Sequence, residues 1–158
     1  MTNTALFTPD DWTTNIRLAQ EAKIDGFAMN MAAWDSTNDL QLPMAFDIAR
    51  NRGFKLFFSF DYASNGLWTK EEVARLISAW YNDSAYFRDP PTNRALVSTF
   101  EGPVASNDWR WIKDRTNAFF VPSWNSITPA AAMAKGPANG LFNWDAWPEG
   151  KNEMVGEP

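Results

Sequence analysis

The chain contains neither cysteine nor histidine. Without cysteine there is no disulfide to read, no thiol nucleophile and no thiolate metal ligand, and a count of zero is compatible with either redox compartment. Without histidine, the commonest general base, the commonest zinc ligand and the Ser-His-Asp triad disappear together. Acid–base chemistry then falls to Asp, Glu, Lys or Tyr. Long hydrophobic runs are also missing, since no segment approaches the roughly 18 apolar residues of a membrane span. The opening Met1-Thr2-Asn3-Thr4 has neither the basic nor the apolar region of a secretory signal. Basic residues are in the minority, 14 Lys and Arg against 19 Asp and Glu, for a net charge of -5 and a pI near 4.7. That balance argues against a nucleic acid or an anionic membrane as partner. No G-x-G-x-x-G or G-x-x-x-x-G-K-[ST] follows any candidate strand, and no D-x-[DN]-x-[DN]-G loop is present, so no cofactor and no metal are expected.

What the sequence has in quantity is aromatic residues: nine Trp, twelve Phe and three Tyr in 158 residues. Most belong in a core, and the length suits one domain. The densest stretch, Phe54-Lys55-Leu56-Phe57-Phe58-Ser59-Phe60-Asp61-Tyr62, lies between Gly53 and Ser64-Asn65-Gly66. It is punctuated like a strand and too short for a typical helix. A run apolar on both faces implies a sheet covered on both sides, usually a parallel sheet with helical crossovers.

Thr8-Pro9-Asp10-Asp11 combines an N-cap, a proline at the first helical position and acids in the first turn, and predicts a helix over 9–23 that Asp25-Gly26 breaks. Phe27 to Ala32 reads as a strand. A helix from Asp39 to Arg52 follows, with Pro43 placed in its first turn and Gly53 as its stop. Thr69-Lys70-Glu71-Glu72 has the pattern of a capping box before a stripe of Val73, Leu76, Ile77 and Trp80. Ala95 to Phe100 is a strand, Ser106 caps a helix through Thr116, and Ala118 to Pro122 is a strand. Thr128-Pro129 opens a last helix, and Leu141 to Trp144 is a fifth strand candidate. The expected domain covers 1–148, with 149–158 a polar C-terminal tail. Strands and helices alternate, which argues a parallel sheet with right-handed crossovers; a closed barrel and an open doubly wound sheet both satisfy the spacing.

Such winding gathers the strand ends on one face, where parallel α/β folds do their chemistry. The residues there are Asn30, Asp61, Tyr62, Glu101, Trp124, Asp145 and Trp147, with Trp34 and Trp68 in nearby loops and Trp144 beside Asp145. An acid after a strand is commonly just a turn or capping residue. Three acids at three strand ends among indoles are better suited to carbohydrate chemistry, in which one acid protonates the leaving oxygen, a second carboxylate activates water or attacks, and aromatic faces receive the sugar ring. A metal held by the same three acids is an alternative reading.

Four blocks then carry a resemblance. They are Ile24 to Asn30, Gly53 to Asp61, Val97 to Gly102 and Gly140 to Pro148, together with the helix from Asp11-Trp12 to Ala22. They resemble glycoside hydrolase family 71, the fungal endo-1,3-alpha-glucanases or mutanases. The resemblance implies a (β/α)8 TIM-barrel fold in α/β class, incomplete here at about five to six strand–helix units and lacking the first strand and the last units. It implies endo-acting, inverting hydrolysis of alpha-1,3-glucan by a secreted or cell-wall protein. Asp61 matches the family's strand-end acid, and Glu101 and Asp145 match cleft positions, so these three are the candidate catalytic residues. Asn30, Tyr62, Trp68, Trp124, Trp144 and Trp147 are the candidate substrate-binding residues. The family's acid and base lie in an Asn-Asp-Trp/Tyr-Gly-Glu-Ser segment that no residue here matches; the resemblance implies a glucan endo-1,3-alpha-glucosidase in which Asp61 assists that pair, with an inactive fragment one outcome and a non-catalytic glucan-binding remnant or pseudoenzyme the alternative. Open barrel edges imply self-association.

Overall fold

The computed structural model describes residues 2–144. The elements run α1 (Pro9–Glu21), β1 (Gly26–Ala32), α2 (Thr37–Arg52), β2 (Lys55–Asp61), α3 (Lys70–Trp80), β3 (Leu96–Phe100), α4 (Ser106–Thr116), β4 (Phe119–Phe120) and α5 (Pro129–Ala134), with short 3-10 turns at Thr2–Thr4 and Pro103–Ala105. The expected tail at 149–158, and Asp145 and Trp147, lie outside the described residues.

Local chemistry accounts for most boundaries. Thr8 and Asp11 form a reciprocal capping box, the Asp11 N–H donating to Thr8 Oγ1 at 3.3 Å and the Thr8 N–H to Asp11 Oδ2 at 2.8 Å. Helix α1 ends earlier than the expected residue 23, because Lys23 turns left-handed at φ 62° and the Ile24 N–H closes back on the Ala19 carbonyl at 2.9 Å. Helix α2 begins at Thr37, not Asp39, since the Asp35 carboxylate accepts from the Thr37 N–H at 2.9 Å and its hydroxyl at 2.6 Å. Pro43 is therefore inside the helix and not in its first turn. It lies on the exposed side of the helix, as does Asp39, whose carbonyl it cannot serve. The box expected at Thr69 is only half made. Thr69 caps the Glu72 N–H at 3.2 Å, but the Glu72 carboxylate turns to Arg75 at 2.7 Å and 3.1 Å. Ser106 is the first helical residue of α4 and not its cap, because the turn Pro103–Ala105 leads directly into it.

The strands form one parallel sheet of four in the order β1-β2-β3-β4. Each strand lies beside its predecessor, so among the described residues the winding does not reverse, and right-handed crossovers put α2, α3 and α4 on the same face. That removes the doubly wound alternative, which needs a reversal point. The fold is α/β, an arc of a (β/α) barrel. Leu141 to Trp144 forms no strand, although the Phe142 N–H reaches the Pro122 carbonyl at 3.0 Å.

Period-two alternation divides the sheet. Met29, Met31, Leu56, Phe58, Phe60, Val97 and Phe120 face the helices and are buried. There Trp109 stacks on Phe120 at 3.7 Å and Phe46 meets Phe58 edge-on at 6.0 Å. Truncating Trp109 at that position would cost about 3–5 kcal/mol. The other face carries Ala28, Asn30, Phe57, Ser59, Asp61, Leu96, Ser98 and Phe100, and among the described residues no helix covers it. Cover on both sides of the 54–62 stretch holds towards its carboxyl end, where Ser59 and Asp61 are buried, and not at its start, where Lys55 and Phe57 are half-buried on the face that in a barrel is the interior.

Candidate active site

The alternation that sends Phe58 and Phe60 to the helices sends Ser59 and Asp61 to the open face, at the carboxyl end of β2. Register places Asn30 opposite Ser59 and Ala32 opposite Asp61. Three side chains form a chain as a result. The Ser59 hydroxyl donates to Asn30 Oδ1 at 3.1 Å, and Asn30 Nδ2 donates to Asp61 Oδ2 at 3.4 Å. The other carboxylate oxygen, Oδ1, accepts from the Ala63 and Ser64 main-chain N–H groups at 2.8 and 3.0 Å. Asp61 is 7% exposed, so its orientation is fixed from both sides while one edge remains open to a cavity of about 770 Å³. Asn30, Asp61 and Trp144 line that cavity together, along with Trp12, Phe7 and Asn65. Trp144 reaches it from the far end of the described chain, its ring edge-on to Phe100 at 5.5 Å.

The other predicted residues take different places. Glu101 follows β3 with φ 54°, and its carboxylate accepts from the Ser126 N–H at 3.0 Å and hydroxyl at 2.5 Å. It does not line the Asp61 cavity. Tyr62 is buried beneath Gly102, and burial, with the Asp108 carboxylate adding to it, pushes its hydroxyl well above the ordinary tyrosine range. Trp68 is buried edge-on to Phe60 at 5.2 Å, its indole donating to the Met31 carbonyl at 3.1 Å. Trp124 is buried against Phe120 at 5.8 Å. The structure therefore brings together Asn30, Asp61 and Trp144 at one cavity, and buries Tyr62, Trp68 and Trp124 in the hydrophobic core instead.

Ser59 had no place in the sequence-based site. Its signal was available, since the strand's alternation puts it on the face of Asp61. Among the described residues no group of three or more His, Cys, Asp or Glu could hold a metal ion, and no helix is long and apolar enough to cross a membrane.

A parallel, singly wound α/β arc with a fixed carboxylate at the carboxyl end of a strand is the architecture of barrel enzymes. The comparisons agree on fold and family. The sequence pattern described as Glycosyl hydrolase family 71 matches residues 1–158, and the chain belongs to that family. Mutanase Pc12g07500 of Penicillium rubens is 32% identical over 155 residues, covering 94% of this chain and 33% of that protein. Glucan endo-1,3-alpha-glucosidase agn1 of Schizosaccharomyces pombe is 31% identical over 169 residues, covering 96% and 38%. The chain thus spans little more than a third of the length of these curated relatives. Among solved structures, the GH99 endo-alpha-mannosidase of Bacteroides thetaiotaomicron superimposes with a TM-score of 0.69 at 12% identity, over 87% of this chain and 43% of that one. A second structure of that enzyme, with bis-tris propane bound, gives 0.68 at 12% identity, over 86% and 46%.

Proposed function

We propose that the chain supplies the Asp61-bearing arc of an endo-acting, inverting hydrolase of alpha-1,3-glucan, secreted or held in a fungal cell wall. The observation that carries this reading is the Asp61 carboxylate itself: buried, held by two main-chain N–H groups and the Asn30 amide, and facing a cavity at the carboxyl end of β2. Its two family relatives, a mutanase and a glucan endo-1,3-alpha-glucosidase, support the substrate. Trp144 offers an aromatic wall for a sugar ring in the same cavity, and Asn30 serves as both hydrogen-bonding and orienting group. Glu101, Asp145 and Trp147 are assigned to the wider cleft by family resemblance, with Tyr62, Trp68 and Trp124 supporting it.

One observation favours a second reading. Inverting hydrolysis uses two carboxyl groups about 6.5–9.5 Å apart, and Asp61 is the only carboxylate lining its cavity among the described residues. On that reading the chain binds glucan without cleaving it. Reducing-sugar release from alpha-1,3-glucan, measured beside retention on the insoluble polymer, separates the two. For the hydrolase, Asp61→Asn lowers release about 10²–10³-fold, the span for a lost group that stabilises transition-state charge beside the acid and base, with retention unchanged. Retention with no release by the wild-type chain establishes the binding reading.

A further inference from the structure

Trp34 stands two residues after β1 in a turn, with φ 59°, and is 79% exposed. The left-handed region is unfavourable for any residue with a Cβ, and for a bulky one it is a true outlier. An indole left in water also forgoes the burial its size would bring. The surroundings enforce this arrangement instead of relieving it. Asn38 Nδ2 donates to the Ala32 carbonyl at 3.0 Å, the Asn38 N–H donates to the Asp35 carbonyl at 3.0 Å, and the Asp35 carboxylate is bonded to Thr37. A bulky residue that is both strained and exposed, in a loop locked on both sides, marks a position kept for something other than folding.

Beside Trp34 lies a cavity of about 300 Å³, lined by Asn38, Asp39, Trp68, Glu72 and Arg75 among others. It shares no lining residue with the Asp61 cavity. Trp68 is buried in its wall, fixed by its bond to Met31. Glu72 and Arg75 form a two-pronged ion pair that offers both donors and acceptors. Asn38, one of the lining residues, is 7% exposed, and its buried Oδ1 has no hydrogen-bond partner among the described residues. An exposed aromatic face, an unmet amide acceptor and mixed polar groups are the complement of a sugar ring, whose C–H face stacks on indole and whose hydroxyls donate to amide and carboxylate oxygens. A volume near 300 Å³ stands at the small end of ligand sites, about 300–1,000 Å³, and suits one or two rings.

We propose that Trp34 and the cavity beside it form a second saccharide-binding site, separate from Asp61, that holds the glucan chain. The existence of the site rests on Trp34 and Asn38; the choice of glucan as its saccharide rests on the functional reading above. The test compares wild type, Trp34→Ala, Trp34→Asn and Asp61→Asn in binding isotherms on insoluble alpha-1,3-glucan, with unfolding midpoints measured for each. Both Trp34 variants are expected to bind at least tenfold more weakly than wild type. Asparagine accepts the left-handed conformation, so Trp34→Asn keeps or raises the unfolding midpoint while binding is lost. The inference is overturned by wild type that does not bind, by Trp34 variants that bind within twofold of it, or by a Trp34→Asn midpoint below wild type, which would make Trp34 a structural residue. Sugar release unchanged in Asp61→Asn would defeat the functional reading and leave this site standing.

Discussion

Gly102 shows how a single residue fixes the end of β3. Its φ is 88°, and a Cβ built there would lie 2.5 Å from Tyr62 Cγ and 2.7 Å from Tyr62 Cβ. Neither neighbour can retreat easily, because Tyr62 is buried and its N–H is bonded to the Phe100 carbonyl at 2.9 Å. With Glu101 also left-handed at φ 54°, two successive residues turn the chain off the strand and bring the Glu101 carboxylate to Ser126. Gly102→Ala should therefore add backbone strain to a steric clash, destabilising by about 3 kcal/mol or more. Gly66 is the control, since its φ is 90° but no atom lies within 4 Å of its built Cβ. Gly66→Ala should cost only the strain, about 1–2 kcal/mol. Urea unfolding of the two variants reads the difference, and equal losses would remove the Tyr62 contact from the account.

At the scale of elements, helix α1 depends on its first turn. Hydrogen bonds from the Thr8 hydroxyl and then the Thr8 N–H hold the Asp11 carboxyl below the usual aspartate range. A group whose acidity is increased by folding stabilises the fold above its unfolded value and loses that contribution as pH falls through the folded one. The first turn of α1 should accordingly fray on acidification below about pH 4. Glu72, whose acidity is likewise raised by its bonds to Arg75, loses its pairing in the same window. Amide exchange at Asp11 and Trp12 would report this, and Thr8→Ala should reproduce it at neutral pH at a cost of about 1 kcal/mol. Exchange at these amides that is independent of pH once intrinsic rates are removed would contradict it. The same signals explain what could be read from the sequence. Thr8, Thr69, Thr128 and Gly53 are the caps and stop their residue types announce, and the strand ending on Asp61 runs as its punctuation indicated. The misplacements have a common cause, competition between local signals that only packing decides. Asp35 started α2 early and carried Pro43 into its interior, Arg75 drew Glu72 away from its cap, and Ala118 to Pro122 keeps only a two-residue strand because the regular ladder breaks at the Val121 carbonyl, which accepts from the Ser98 hydroxyl at 2.7 Å, and resumes at a single bridge between Phe100 and Ser123. The site divided in the same way. Asp61 was legible as an acid at a strand end, whereas its partners depend on register between β1 and β2, and the left-handed setting of Trp34 has no sequence signature.

For the whole molecule the governing fact is that a barrel hides its edges by closure, and here β1 and β4 each have one strand neighbour among the described residues. The Lys55 N–H donates to the Asp25 carbonyl at 3.2 Å. In a parallel ladder the main-chain groups of alternate residues point to opposite sides, so those of Ala28 and Asn30 point away from β2. The sheet face beside them carries half-buried Phe57, Leu96 and Phe100. An unpaired strand edge next to a partly apolar face is a template for another chain, and a net charge of -5 opposes such pairing only weakly at physiological salt. The 158-residue chain expressed alone should therefore associate as its concentration rises, as seen by sedimentation velocity. Ala28→Lys should suppress that association, because Ala28 is exposed on the edge strand and a lysine there sets like charges against each other in any edge-to-edge pair. Association that survives the lysine would shift the contact from the β1 edge to β4 or to the open sheet face. A chain that remains monomeric at all concentrations and unfolds cooperatively at high temperature would show that edges and face are satisfied within the chain itself.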